Sequence, residues 1–292
     1  QVIKSRARDI GGFSVRRLLP TARLRNIGPW VFLDHLGPTQ LAAGEEFNVL
    51  PHPHIGLATV TYLFAGEMLH RDSLATEQLI TPGAINLMYA GSGIVHSERQ
   101  RPETTAQNRE LHGLQLWFAL PEDAEQMPPA FYHYPSEAIP ATEIDGVKIR
   151  LLIGKAYGLK SPVHTVSETL YAEAFLAKGQ SLELPASEEL AVYVVSGELT
   201  AKDETLAAQS LVAFDTQNTK DSDVNNSIKI TAQQDSQIAI LGGKPLGRRY
   251  MEWNFVASNR ELLEQAKANW QAGKFAKVPG DENEFVPLPT FS

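Results

Sequence analysis

LPHPHIG at Leu50–Gly56 and AGSGIVHSE at Ala90–Glu98 are the two stretches that decide the interpretation of this chain. Each holds two candidate metal ligands separated by one residue: His52 with His54, and His96 with Glu98. On a β-strand, residues two apart point to the same face, so each pair can aim two side chains at one ion. Three neutral imidazoles and one carboxylate suit Fe(II), Mn(II), Ni(II), Cu(II) or Zn(II).

The residues around these motifs have the pattern of short β-strands. They are rich in β-branched and aromatic residues, and Gly and Pro turns separate them. The predicted strands are Leu57–Phe64, Gln78–Thr81, Ala84–Tyr89, Ile94–Glu98, Leu111–Leu120, Lys148–Ile153, Leu170–Leu176 and Leu190–Val195. Many short strands at this spacing predict an all-β protein, either a sandwich or a barrel.

The chain is long enough for two domains, and its prolines suggest where one ends. Five prolines fall within residues 121–140, which we therefore interpret as a linker. YLFAGEM at Tyr62–Met68 is echoed by YVVSGEL at Tyr193–Leu199, and two β-barrels of similar topology would explain this short repeat. We predict an amino-terminal domain over residues 1–134 and a carboxy-terminal domain over 135–292. No histidines flank the turn of the second copy, so we expect no comparable metal site there.

A single helix is predicted near residues 258–272, within the carboxy-terminal domain. Ser258 with Glu261 three residues later is typical of a capping box. Apolar residues follow at helical spacing, and Gly273 is a suitable stop.

Composition excludes several classes of protein. The 292 residues include no cysteine, which rules out disulfides, thiolate zinc sites and iron–sulfur clusters, and fits a cytoplasmic location. A net charge of −8 argues against direct binding to nucleic acid. No apolar run approaches the length of a membrane span. We expect a monomer that does not associate with membranes.

The remaining polar signals near the motifs have structural interpretations. Pro53 lacks a backbone N–H, so its strand is expected at a sheet edge or at a bend. For His70, after the turn at Gly66, we expect a structural hydrogen bond. The histidines without a ligand-spaced partner are interpreted as ordinary polar residues; they are His112, His133 and His164.

These motifs together resemble the pirin family of bicupins. The resemblance rests on LPHPHIG, TVTYLFAGE at Thr59–Glu67, HRDS at His70–Ser73, PGA at Pro82–Ala84, AGSGIVHSE, GLQLW at Gly113–Trp117 and LGGKPLG at Leu241–Gly247. It implies an all-β fold of two cupin-type β-barrels with a short C-terminal helix. It also implies one metal, usually iron, in the amino-terminal barrel, held by residues at the positions of His52, His54, His96 and Glu98. The carboxy-terminal barrel would be metal-free.

The chain departs from the family pattern at three positions near the site. Ala58 stands where members tend to have an acidic residue, Ile55 where many have Arg, and Ala84 where many have Asp. The four expected ligands are intact, so these changes bear on pocket polarity and substrate choice.

Two classes of function follow from the resemblance. The first is a quercetin 2,3-dioxygenase-type oxygenase that uses O2 and a flavonol-like or other small aromatic substrate. Its cofactor would be one divalent transition metal, expected to be Fe(II), with Mn, Ni, Cu or Zn as alternatives. Glu98 could leave the metal and act as general base on a substrate hydroxyl. The alternative is a non-catalytic module that binds a protein partner according to the state of its metal. An open, apolar-walled pocket beside the histidines would favour the enzyme.

Overall fold

Most of the backbone that the structure describes is β-strand. The structure is a computed structural model that describes residues 1–10, 13–201, 204–214 and 228–290. Its first half contains β1 Val2–Lys4, β2 Arg6–Asp9, β3 Ser14–Leu19, β4 Trp30–Leu41, β5 Val49–His54, β6 Leu57–Ala65, β7 Met68–Asp72, β8 Glu77–Ile80, β9 Ile85–Tyr89, β10 Ile94–Arg99, the short helix α1 Pro102–Thr105, β11 Arg109–Ala119 and β12 Ala130–Tyr134.

The second half begins with a 3-10 turn at Ser136–Ala138 and ends in a helix. Its elements are β13 Ala141–Ile144, β14 Val147–Ile153, β15 Lys155–Ala156, β16 Leu159–Lys160, β17 Thr169–Leu176, β18 Ser181–Glu183, β19 Glu189–Ser196, β20 Glu198–Ala201, β21 Glu204–Ala207, β22 Ser210–Phe214, β23 Lys229–Ala232, β24 Ser236–Gly243, β25 Tyr250–Glu252, β26 Phe255–Ala257 and α2 Arg260–Gln271.

The chain forms two compact units that use the same sheet arrangement. The first unit comprises residues 7–17, 32–136 and 246–292, and the second comprises residues 1–6, 18–31 and 137–245. The sheets associated with the first unit have the orders β12-β9-β6-β11-β4-β3-β2 and β5-β10-β7-β8. Those associated with the second have the orders β1-β22-β19-β24-β17-β14-β13 and β18-β23-β20-β21. The two copies of the repeated motif join equivalent strands, β6 to β7 and β19 to β20.

Apolar side chains on the inner faces of the sheets form the cores, as the two-residue period of a strand requires. In the second unit, buried aliphatic residues from both sheets pack together, among them Leu151, Val192 and Ile240. In the first unit a smaller cluster around Phe47, Leu63 and Leu111 occupies part of the interior. The histidines described below are also buried in this unit.

The predicted strands are confirmed, but several elements were not anticipated. The 12-residue strand β4 was missed. The proline-rich stretch 121–140, interpreted as a linker, contains β12, which pairs with β9 from Ala130 to Tyr134. Pro53 lies in β5, an edge strand of its sheet, as its missing N–H predicted.

Helix α2 begins one residue later than predicted. Its N-cap is Asn259, whose side chain accepts a hydrogen bond from the backbone N–H of Leu262. The capping box at Ser258 is therefore wrong, because the Ser258 hydroxyl instead donates to Glu125 at 2.6 Å. Gly273 follows the helix with a φ of +64°, as predicted for a stop residue.

The helix belongs to the first unit. Leu263 and Ala266 on its buried face pack with Phe255 of β26 and with Ile55, which follows the histidine pair of β5. The predicted domain boundary between residues 134 and 135 stays a prediction. Residues 246–292, however, belong to the same compact unit as residues 7–17 and 32–136. Among the helices of the described residues, none has the length and apolarity needed to cross a membrane.

Candidate metal centre

Two neighbouring strands bring the sequence motifs together. In the β5–β10 pair, His52 lies directly opposite His96, and His54 lies opposite Ile94. All three histidines are buried, with at most 7% of any of them exposed. The register changes between His96 and Glu98, where a bulge-type irregularity occurs.

Backbone carbonyls fix the ring orientation of the first two histidines. Nδ1 of His52 lies 2.8 Å from the carbonyl oxygen of Leu50, and Nδ1 of His54 lies 3.0 Å from that of Asn254. A carbonyl only accepts, so each Nδ1 must carry the hydrogen. A neutral imidazole with its proton on Nδ1 has a free lone pair on Nε2.

A carboxylate performs the same task for His96 through a second histidine. Nε2 of His70 lies 2.9 Å from Asp72, so in neutral His70 this nitrogen carries the proton. Nδ1 of His70 is then an acceptor, and Nδ1 of His96 lies 3.4 Å from it. His96 donates along this contact, which leaves its own Nε2 with a lone pair. The structural hydrogen bond expected for His70 therefore exists, and it orients a candidate ligand.

The three free lone pairs converge on one point. The ligand nitrogens of His52, His54 and His96 lie within 4.8 Å of one another. Nε2 of His54 and Nε2 of His96 are 3.2 Å apart. Two nitrogens bound at about 2.1 Å and roughly at right angles on one metal would be about 3 Å apart. The arrangement fits a divalent metal, which would remove the repulsion between facing lone pairs.

Burial keeps these imidazoles uncharged. Loss of solvent lowers the pKa of His52 to about 4 and holds the pKa values of His54 and His96 well below 6.5. Neutral imidazole is the form that binds a metal, so the triad is ready for an ion without first losing protons at neutral pH.

Glu98 lines the same cavity, but its carboxylate is outside the close group formed by the three histidines. Burial raises its pKa to about 7, and the Thr61 hydroxyl, which donates to it at 3.4 Å, opposes this effect. Of the four predicted ligands, the structure thus brings three within coordinating distance of one another. The four-ligand set stays a prediction.

The histidines open onto a cavity of about 860 Å³. One wall is aromatic: Phe32 and Trp117 stack with their ring centroids 3.8 Å apart, and Trp117 also contacts His54 edge-on at 4.9 Å. Arg17 lies over the Phe32 ring at 4.4 Å and makes a two-point ion pair with the buried Asp34. The cavity therefore combines an aromatic wall with a fixed polar group.

Sequence reasoning missed several residues that shape this site. Asp72 was present in the HRDS motif but received no role, and Asn254 lies 200 residues from the His54 that it orients. Outside the lining of this cavity, Nε2 of His112, which was interpreted as an ordinary polar residue, lies 2.8 Å from Nε2 of His35. The Asn254 and His35 contacts depend on distant segments and on the cross-strand arrangement, for which the local sequence contains no signal, whereas Asp72 lies only two residues from His70.

Family models match both halves of the chain. The model described as Pirin matches residues 12–118, and that of the Pirin C-terminal cupin domain matches residues 171–276. A pirin-like protein of Caulobacter vibrioides is 40% identical over 99% of this chain and 98% of its own length. The chain belongs to the pirin family. Its fold is the predicted one, mostly β with two cupin domains and a short C-terminal helix.

Solved structures of other family members agree with this assignment. A crystal structure of a protein named quercetin 2,3-dioxygenase from Acinetobacter baumannii matches with a TM-score of 0.90 and 32% identity, covering 100% of this chain and 95% of that chain. A bacterial pirin from Escherichia coli, solved in complex with nickel(II), matches with a TM-score of 0.63 over 84% of this chain and 99% of that chain. At 19% identity, the latter supports the fold alone.

Proposed function

We propose that this pirin is a metal-dependent dioxygenase of the quercetinase type, acting on flavonol-like substrates. The observation that carries the proposal is the open cavity of about 860 Å³ beside three buried, neutral histidines. Such an accessible, partly apolar pocket favours an enzyme over a regulatory module with a sealed site, and its volume lies in the range of small-molecule sites. The relative from Acinetobacter baumannii that carries the quercetinase name supports the same substrate class.

His52, His54, His96 and Glu98 are the residues that we propose to hold the ion. When bound, a divalent transition metal supplies the redox and Lewis-acid chemistry that dioxygenation requires. Fe(II) remains our expectation, with Mn, Ni, Cu or Zn as alternatives. The hydrogen bonds at Nδ1 keep the imidazoles correctly turned during the reaction.

The protein side chains would position the substrate and move its proton. The aromatic wall formed by Trp117 and Phe32 offers an apolar surface for an aromatic substrate. Burial raises the pKa of Glu98 to about 7 in the metal-free protein, and a Glu98 carboxylate that leaves the metal can accept the proton of an enolic hydroxyl. The ion pair of Arg17 with Asp34 presents a polar edge to the oxygen atoms of the substrate.

Oxygen uptake with quercetin tests the proposal. Metal-free protein is loaded anaerobically with Fe(II), Mn(II), Ni(II) or Cu(II), and metal content is measured for each sample. We expect uptake with at least one ion and none in the His52→Ala/His54→Ala variant. His164→Ala, at an exposed histidine of the second unit, is the matched control and should keep full activity. Metal-loaded protein that consumes no oxygen with any flavonol would contradict the proposal.

The base role of Glu98 has its own test. Glu98→Gln should retain metal through the three histidines while turnover falls by about 10²–10⁴-fold, the usual contribution of a general base. Loss of metal and activity together would contradict the base role.

A further inference from the structure

A second cavity, of about 470 Å³, occupies another part of the first unit. The last turn of α2 and the segment after it supply most of its lining, and Pro51 and Val95 complete it. None of the four proposed metal ligands lines it. The segment 284–287 is shared, however, because Glu284, Phe285 and Pro287 line both this cavity and the one that holds the histidines.

Three aromatic rings in the lining are arranged around a common corner. The ring centroids of Trp270 and Phe275 are 5.8 Å apart, with an angle of 78° between the planes. Those of Trp270 and Phe285 are 5.7 Å apart, with an angle of 87°. Nearly perpendicular rings at this spacing are in edge-to-face contact with one another. All three rings line the cavity, where a cation can bind over a ring face.

Two of these rings are held in place by other contacts. The indole N–H of Trp270 donates to the carbonyl oxygen of Val286 at 3.1 Å. Phe275 lies parallel to the buried Phe255, with the centroids 6.2 Å apart. Phe285, in contrast, is 58% exposed, a high value for a large apolar side chain. Its exposure leaves a ring face available to a ligand.

The charges around this cavity favour a cation. Asp281, Glu282 and Glu284 all line it, against a single lining cation, Lys277. Arg99 lies outside the lining but binds Asp281 at 2.7 Å and Glu284 at 3.1 Å. Even with both cations counted, the carboxylates are in excess by one. An anionic ligand would be repelled, and a neutral one would gain nothing from the carboxylates.

We propose that this cavity binds a substituted ammonium cation, with Trp270, Phe275 and Phe285 as its aromatic walls and the carboxylates as its counter-charge. An alkylated ammonium group suits the lining because its methyl groups pack against rings while its charge interacts with their faces. This inference does not depend on the metal or on the proposed oxygenase activity.

Fluorine NMR of protein labelled with 5-fluorotryptophan can locate the ligand. The chain has four tryptophans, so four resonances are expected, and Trp270→Phe and Trp117→Phe identify two of them. Choline is the probe, and 3,3-dimethylbutan-1-ol is its neutral equivalent of the same shape. We expect choline to shift the Trp270 resonance in a saturable way and to leave that of Trp117, which lies in the histidine cavity, unmoved.

The neutral analogue and the variants measure what the charge and the rings contribute. The neutral alcohol should bind about tenfold more weakly than choline, the effect expected of a partly desolvated cation–π contact. Phe285→Ala should weaken choline binding by about fivefold, and Phe285→Tyr, which keeps a ring, should restore it. Glu282→Gln should weaken it by roughly twofold and reduce its dependence on salt. Phe175→Ala, at another exposed aromatic, should have no effect.

Three results would overturn the inference. The first is an unmoved Trp270 resonance at choline concentrations that saturate other quaternary-ammonium sites. The second is equal binding of choline and the neutral alcohol, which would make the cavity merely apolar. The third is a shift at Trp117 in place of Trp270, which would assign the cation to the histidine cavity.

Discussion

The two units of this pirin share one sheet order and differ in what their inner faces hold. In the first unit, the edge strand β5 places His52 opposite His96 of β10. In the second, the edge strand β18 places Leu182 opposite Ile230 of β23, and both side chains are buried in the aliphatic core. The same framework therefore supports either a packed interior or a polar centre beside a cavity.

The two interiors differ in how much their buried side chains contribute to the free energy of unfolding. Burying Leu182 and Ile230 gains roughly 1.5–3 kcal/mol per side chain from the hydrophobic effect. Buried imidazoles gain less, because their polar nitrogens lose water and need partners. In the first unit each Nδ1 has such a partner, whereas the Nε2 atoms face one another. Sites where a fold gives up apolar packing in this way are expected to be functional.

The largest expected effect is on metal binding. His54→Ala should weaken the affinity for a divalent metal by about a thousandfold, because roughly 10–16 kcal/mol of binding energy is shared among three or four ligands. Calorimetric titration of metal-free protein measures it. Ile230→Ala in the second unit should leave the affinity unchanged. An equal loss of metal affinity in both variants would mean that general destabilisation of the protein, and not removal of a ligand, weakens metal binding.

The next largest effect is on stability, where the substitution in the second unit should be the more damaging one. Ile230→Ala should lower the free energy of unfolding by about 3 kcal/mol, since it removes buried methylene groups from a close-packed core. Denaturant unfolding of metal-free protein, followed by tryptophan fluorescence, measures it. His96→Leu should cost much less in the metal-free protein, or stabilise it, because an apolar side chain replaces an imidazole with a facing lone pair. A greater loss of unfolding free energy in His96→Leu than in Ile230→Ala would refute the comparison.

The sequence alone predicts the part of this contrast that depends on strand periodicity. His52, His54 and His96 could be placed on one face because residues two apart on a strand share a face. The repeated Tyr62–Met68 and Tyr193–Leu199 segments predicted the shared topology. The tie from Asp72 through His70 was not predicted, because it requires the register of β7 against β10.

Long-range packing explains the other misses. Phe32 and Asp34, on the unpredicted strand β4, reach the cavity only through the order of the seven-stranded sheet. Helix α2 was correctly predicted from its periodicity, but nothing local shows that it packs near Ile55 of the first unit. Glu125 competes for Ser258 from 133 residues away, which moved the cap to Asn259.

Acid should weaken metal binding through Glu98 before it affects the histidines. With a pKa of about 7, Glu98 holds a proton below neutrality in the metal-free protein, and a metal ligated by its carboxylate must displace it. The dissociation constant should therefore rise about fivefold from pH 7 to pH 6, because half of Glu98 is already protonated at pH 7. His52, with a pKa of about 4, takes no proton in that range. In Glu98→Gln the dependence between pH 6 and 7 should disappear; a persistent slope would assign the proton to another group.

The same group has the opposite effect on the stability of the metal-free protein. Because burial raises the folded-state pKa of Glu98 above its ordinary value of 4.5, its contribution to stability is complete below pH 4.5 and is lost as the pH rises through about 7. Glu98→Gln should remove this loss. Substitutions in the aliphatic core of the second unit are the reference for this pH dependence, because aliphatic side chains do not titrate.

The smallest expected effect concerns the helix that belongs to the first unit alone. Asn259→Ala should lower the free energy of unfolding by about 1 kcal/mol, because the N–H of Leu262 loses its acceptor. Asn259→Ser, which can cap equally well, should lower the free energy of unfolding by only a few tenths of ~1 kcal/mol. Thermal or denaturant unfolding of both variants measures the difference. Since α2 packs with Phe255, next to the Asn254 carbonyl that orients His54, Asn259→Ala should also weaken metal binding slightly, whereas substitutions in the second unit should not. Equal stability of the two Asn259 variants would show that the cap does not secure this side of the metal centre.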